Sequence, residues 1–250
     1  MATKGLWRLE LQAGIYRFAA PFLLLLATAA LTVIGYDYIV ENLPANMQSF
    51  VDLDLSNLDD YRYYIWTQWF GKNLIQFAAL VSVVYGATMI SGEKSRNTLQ
   101  FALSKPLSRT ELLQVKYITV FFAVALAVIL STLGLFLMIL FAGRSVSILW
   151  LMENTVLMLV GVALLIGIGG YFSVLMESSL KAAGATALVV FLLSVPGFIP
   201  GWQQFSLFYH MQGASLMAKG HFPILAVVVM LLTTVGVCYL AKGRFNKLDL

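Results

Sequence analysis

The sequence predicts an all-α integral membrane protein of six transmembrane helices, with a short interfacial helix ahead of the first span. A charged loop carrying a short helix joins spans 2 and 3, and a broken, re-entrant outer segment follows span 5. Three observations carry this. Of 250 residues, 60% are hydrophobic and only 11% are charged, against roughly 25% charged in soluble domains. The apolar residues gather into runs long enough to cross about 30 Å of hydrocarbon. The 16 Lys and Arg residues divide very unevenly between the two sides that such a fold creates.

Residues 3–12 place Leu6, Trp7 and Leu9 near one side and Lys4, Arg8 and Glu10 elsewhere, the pattern of a helix lying at the interface. The first span is 18–36. Its Ala27-Thr28-Ala29 resembles a signal-peptidase site, but apolar character continues to Gly35, so the segment is expected to stay as a span. Residues 37–71 form the longest polar connection, with Glu41, Asp52, Asp54, Asp59 and Asp60 against Arg62, and are expected outside. Tyr61, Tyr63, Tyr64, Trp66 and Trp69 crowd before span 2 at 73–90, where an aromatic belt at the outer interface is expected and an aromatic substrate platform is the sharper alternative.

Span 3 is expected at 117–141 and span 4 at 154–176. Gly161, Gly167, Gly169 and Gly170 in span 4 would let a neighbouring helix approach to backbone distance; a hinge or a substrate face is the alternative. Span 5, at 182–195, runs into Pro196, Gly197, Pro200 and Gly201, which cannot continue a helix, so a broken outer segment is expected to about residue 221. Span 6 covers 222–240. On this layout only Arg62, Lys72, Arg144 and Lys219 of the 16 basic residues lie outside, which puts both termini in the cytoplasm.

Several chemistries find no support in the sequence. On these boundaries no Asp, Glu, Lys or Arg sits in the middle third of a span, which weighs against an ion-coupled carrier. Gly71-Lys72-Asn73 lacks the remaining elements of a phosphate-binding loop, and no nucleophile or acid–base constellation is readable, so no catalytic residue is assigned. His210 and His221 have no acidic or Cys neighbours at ligand spacing, and Cys238 is alone, so neither a metal site nor a disulfide is expected. The net charge of +4 follows from topology and implies no nucleic acid.

The long polar island is 91–116. Ser108 and Glu111 form a capping box with Leu107 and Leu112 at staple positions, so a long helix starts near Arg109. Asn97 with Gln100 makes a weaker start signal, and Pro106 forces Lys105 out of helical dihedrals, leaving a short helix over 98–104. That helix offers Leu99, Phe101, Ala102 and Leu103 between charged flanks. It suits a membrane surface or a groove in a partner; a solvated loop that only sets topology is the plainer reading.

Residues 92–116 also resemble the signature of ABC-2 type transporter permeases: a Glu (Glu93), a Gly-Thr-Leu step (Thr98, Leu99), a Pro-Leu-Ser-Arg step (Pro106, Leu107, Ser108, Arg109), and a Lys at the foot of span 3 (Lys116). Asn97 stands where that family has Gly; Asn is the next residue most tolerant of a left-handed bend. Phe245 and Asp249-Leu250 are similar to the family's ending. The resemblance implies that the loop is a coupling helix seated on an ATP-binding subunit, with Glu93, Asn97, Thr98, Leu99, Phe101, Pro106, Ser108 and Arg109 as coupling residues. It further implies an exporter subunit with no ATPase site or cofactor of its own, ATP and Mg being held by two copies of the partner, beside a second permease copy or a related one. A stand-alone channel or carrier, or a membrane protein for peptide immunity or sensing, is the alternative.

Overall fold

The computed structural model describes residues 2–42, 60–100, 104 and 108–248. Among the described residues six helices are long and apolar enough to cross a membrane: Gly5–Ile39, Tyr61–Thr88, Arg109–Phe141, Ile148–Leu175, Ser179–Phe198 and Ile224–Asn246. The protein is therefore a multi-pass, all-helical membrane protein, and no strand occurs among the described residues. Asp52, Asp54 and Asp59 of the outer connection, together with Phe101, Pro106, Leu107, Asp249 and Leu250, lie outside the described residues.

Helix α1 runs unbroken over Ala2–Asn42, through Pro21. The separate interfacial helix expected before span 1 is thus the first part of that span's own helix. Its orientation also differs from the apolar pattern: Leu9 is 55% exposed, whereas Glu10 is buried. The reason is electrostatic, since Glu10 meets Lys116 and Arg17 on the inner side.

Helix α2 occupies Tyr61–Thr88 and includes a stretch of wider π turns, Trp66–Asn73. It starts well before the expected span, so the aromatic residues are part of it. Three of them fasten helices together. Tyr64 donates to the Thr32 carbonyl (2.9 Å), Trp66 Nε1–H to the Gln212 carbonyl (2.7 Å) and Trp69 Nε1–H to Thr132 Oγ1 (3.2 Å). Both Tyr64 and Trp69 are buried. The same extension carries Lys72 into the middle of a helix, which corrects the expectation that no charged residue lies there.

The short helix α3 (Ser91–Ser95) leads into the loop, and α4 (Arg109–Phe141) leaves it. Helix α5 (Ile148–Leu175) is the most enclosed span; α2, α4, α6 (Ser179–Ser194) and α9 (Ile224–Asn246) all pack on it. Its glycines account for the closeness. A Cβ at Gly169 would stand 2.8 Å from the Ala87 backbone nitrogen, and one at Gly86 only 3.0 Å from the Ile166 carbonyl oxygen, so α2 and α5 touch backbone to backbone. Gly170 makes room for the Tyr117 ring of α4.

Between α6 and α9 the chain breaks as expected. A 3₁₀ turn at Val195–Phe198 and another at Gln203–Phe205 precede α7 (Leu207–Met211) and α8 (Ala214–Lys219). This segment folds back on the bundle: Met211 fills the notch at Gly161, and Gly213, at φ +71°, lies against Asn154 where any side chain would collide. At the same end Arg144, in the α4–α5 turn, pairs with Asp37 of α1 and stacks on the Tyr36 ring at 4.1 Å.

Gly169→Ala forces the α2–α5 seam apart and is expected to cost about 1–3 kcal/mol. Gly184→Ala, on α6 with open space around it, is expected to be neutral or slightly stabilising. Thermal unfolding of the two variants in detergent checks the contrast.

Candidate functional site

The candidate site lies at the bundle end where α1 begins and α9 finishes, and α3 with its following loop is its centre. Helix α3 ends in a Schellman arrangement: the Thr98 amide donates to the Glu93 carbonyl (2.9 Å) and the Asn97 amide to the Lys94 carbonyl (3.0 Å). Asn97 has φ +55°, the left-handed conformation that this cap requires and that the sequence suggested it could accept. It therefore ends α3, a different role from the helix start expected of it. Beyond it, Leu99 and Gln100 are helical, and the Ser104 amide donates to the Gln100 carbonyl at 2.9 Å. The capping box at the start of α4 is formed as expected, with Ser108 N–H donating to Glu111 Oε2 (2.9 Å) and Glu111 N–H to Ser108 Oγ (3.2 Å).

A buried ionic cluster fixes this loop to the spans. Lys116 is 2% exposed; its Nζ donates to Glu10 Oε1 of α1 at 2.6 Å and to Glu93 Oε1 of α3 at 2.5 Å. Arg17 adds a second cation to Glu10 at 3.2 Å. Two of the residues that carry the family resemblance, Glu93 and Lys116, thus meet across 23 positions of sequence. Glu10 and Arg17 escaped the sequence reading, although a Lys inside an apolar helix calls for a counter-charge and Glu10 is an acid on a helix that can reach it.

A second set of contacts ties α3 to the turn between α5 and α6. Ser173 Oγ accepts from the backbone amides of Ile90 and Ser91, both at 2.8 Å. Lys94 Nζ donates to the Val174 carbonyl at 2.5 Å, placing a cation on the exposed carbonyls at the end of α5. Burial lowers the pKa of this ammonium below the ordinary lysine value, and the nearby Glu177 carboxylate opposes that shift. Ser95 donates to the Glu177 carbonyl at 3.0 Å. A third tie sits where the loop enters α4: Arg109 donates to the carbonyls of Phe245 (3.3 Å), Asn246 (3.3 Å) and Leu248 (2.5 Å), closing the end of α9.

The coupling residues suggested by the sequence that are described therefore divide in two, Phe101 and Pro106 lying outside the described residues. Glu93 and Arg109 make bonds within the bundle, and Leu99 is 2% exposed, packed among core side chains. Asn97, Thr98 and Ser108 are exposed, as are Arg96 and Gln100, which the reading had not singled out. The surface offered outward is a polar tip on a base held by α1, α4, α5, α6 and α9. Among the described residues no group of His, Cys, Asp or Glu could hold a metal ion.

A six-span helical bundle with a polar loop anchored to its helices defines a multi-pass membrane protein. The chain belongs to the ABC-2 family: the family model described as ABC-2 family transporter protein matches residues 22–219. That makes it the membrane permease of an ABC transporter, a family that works with ABC ATP-binding subunits. No match was found among curated proteins.

Lys116→Met leaves two carboxylates facing each other without their cation and is expected to lower stability by about 3–5 kcal/mol, far more than Arg17→Met. Asn97→Gly is expected to be tolerated, while Asn97→Val strains the left-handed cap by about 1–2 kcal/mol. Unfolding midpoints in detergent check both pairs.

Proposed function

We propose that this chain is the membrane subunit of an ATP-driven exporter and that the loop at 91–116 is its seat on an ATP-binding subunit, two of which serve the pair of permeases. The loop and both chain ends face the cytoplasm, in keeping with the strong bias of Lys and Arg to that side. Two permeases, identical or related, would enclose the transport path. The chain holds no cofactor; ATP and Mg belong to the partner, which alone hydrolyses nucleotide.

The observation that supports this best is the anchoring of the loop. A push on its exposed tip reaches α1 and α4 through Glu93–Lys116–Glu10, the α5–α6 turn through Lys94 and Ser95, and α9 through Arg109. The described residues on either side of the tip are held in this way, so displacement passes to the spans. Glu93, Leu99 and Arg109 act by holding the loop in place, and Arg96, Thr98, Gln100 and Ser108 meet the partner. Lys72 inside α2 removes the argument against a stand-alone carrier that rested on charge-free spans, but family membership favours the ATP-driven reading.

Affinity purification from native membranes in mild detergent tests the proposal. An ATP-binding subunit should accompany the wild-type chain and be lost from a Thr98→Asp, Gln100→Asp variant whose own thermal stability is unchanged. Leu99→Asp is unsuitable, since it places a charge in the core. An ATP-binding subunit retained at wild-type level by the double variant removes the loop from the interface; its absence from both samples returns the protein to a stand-alone role.

A further inference from the structure

One face of α2 has no counterpart among the described residues. Lys72, Gln76, Leu80 and Val84 recur at every fourth residue and are all exposed, with Gln68 half-buried one turn beyond Lys72. The face changes character along its length, being apolar at Leu80 and Val84 and polar at Gln76, Lys72 and Gln68. At about 1.5 Å per residue, Lys72 lies about 24 Å and Gln76 about 18 Å from Thr88, both within the roughly 30 Å that a hydrocarbon core beginning at Thr88 would span. Lys72 makes no hydrogen bond or ion pair with any described residue.

On that count Gln76 lies about 12 Å and Lys72 about 6 Å inside the far boundary, and a polar group at the depth of Gln76 turns toward protein or a water-filled cavity; Lys72 and Gln68 carry the same polar line on toward the interface. The π turns at Trp66–Asn73 are a second sign, because they distort the helix where Lys72 sits, and such distortions gather at functional positions. Trp69 and Phe70 remain buried within the same turns, which fixes the direction in which Lys72 points. We infer that Gln68, Lys72 and Gln76 line the aqueous transport path and that Lys72 receives an anionic group, a carboxylate or phosphate, on the transported molecule. Leu80 and Val84 continue the face as an apolar track, so the cargo that fits is an anionic amphipath. This rests on the exporter reading for its cargo, but the hydration and charge of the face can be measured without any ATP-binding partner.

The test uses Cys238→Ala, which removes the sole cysteine, with Gln76→Cys added, in lipid nanodiscs with and without MgATP. Two water-soluble methanethiosulfonates of equal reach, one anionic and one cationic, are compared. Residue 76 should be labelled in at least one nucleotide state, the anionic reagent several-fold faster than the cationic one. Lys72→Gln should bring that ratio close to one, and dodecanoate should slow labelling where dodecyltrimethylammonium does not. Residue 76 unreactive to both reagents in both states would mean that the face lies against lipid, with Lys72 merely reaching for the headgroups, and would overturn the inference. A ratio unmoved by Lys72→Gln, or dodecanoate without effect, would equally remove Lys72 as an anion receptor. None of these outcomes depends on whether an ATP-binding subunit co-purifies, so a failure here is distinct from a failure of the exporter reading.

Discussion

The fold depends most on a single buried ammonium. Lys116 sits a little inside α4, almost inaccessible to solvent, and has carboxylates from two other helices on it. A charge in this position is costly to desolvate, and only close, well-directed partners offset the cost. The arrangement is therefore selective: α1 must bring Glu10 inward, even though that turns Leu9 out, and α3 must stop where Glu93 reaches the same nitrogen. The Schellman cap at Asn97 turns the chain away immediately after α3, and Arg109 re-anchors it at the end of α9. The loop between is held at both ends by charge-assisted hydrogen bonds, which are about twice as strong as neutral ones.

How much of this was legible in the sequence differs by element. The spans were readable because hydrophobic length is a one-dimensional property, and the capping box at Ser108 because it is local. The broken segment after α6 followed from where Pro and Gly stand, since neither can be accommodated in a regular helix there. The glycines of α5 announced close packing, and the structure supplied the partners, Ala87 and Gly86 for Gly169 and Tyr117 for Gly170. What failed was the start of α2. Tyr, Trp, Gln and Lys before residue 73 lower the hydropathy and resemble an interfacial belt; their inclusion in the helix is decided by hydrogen bonds to Thr32, Thr132 and Gln212, from 32 to 146 residues away.

The candidate site was half legible for the same reason. The residue types in the loop are visible in order, but their direction is not. Leu99 reads as a contact for a partner because it is apolar in a polar stretch, and it is apolar because it is buried in its own chain. Arg109 reads as a free charge and is spent on the last carbonyls of α9. Glu10 could have been found only by asking what neutralises Lys116, a question that sequence distance obscures.

Helix α1 carries an ion pair near each of its ends: Glu10 to Lys116 of α4, and Asp37 to Arg144 in the turn that follows α4. The two pairs are separated along α1 by about 40 Å at 1.5 Å per residue. Such a ladder with rungs top and bottom resists shear. A slip of α1 past α4 by even one helical turn, about 5.4 Å, would break both rungs together, so these two helices travel as one strut. Rearrangement during a transport cycle then falls to the joints that the strut does not brace, among them α6, little buried and followed by broken chain.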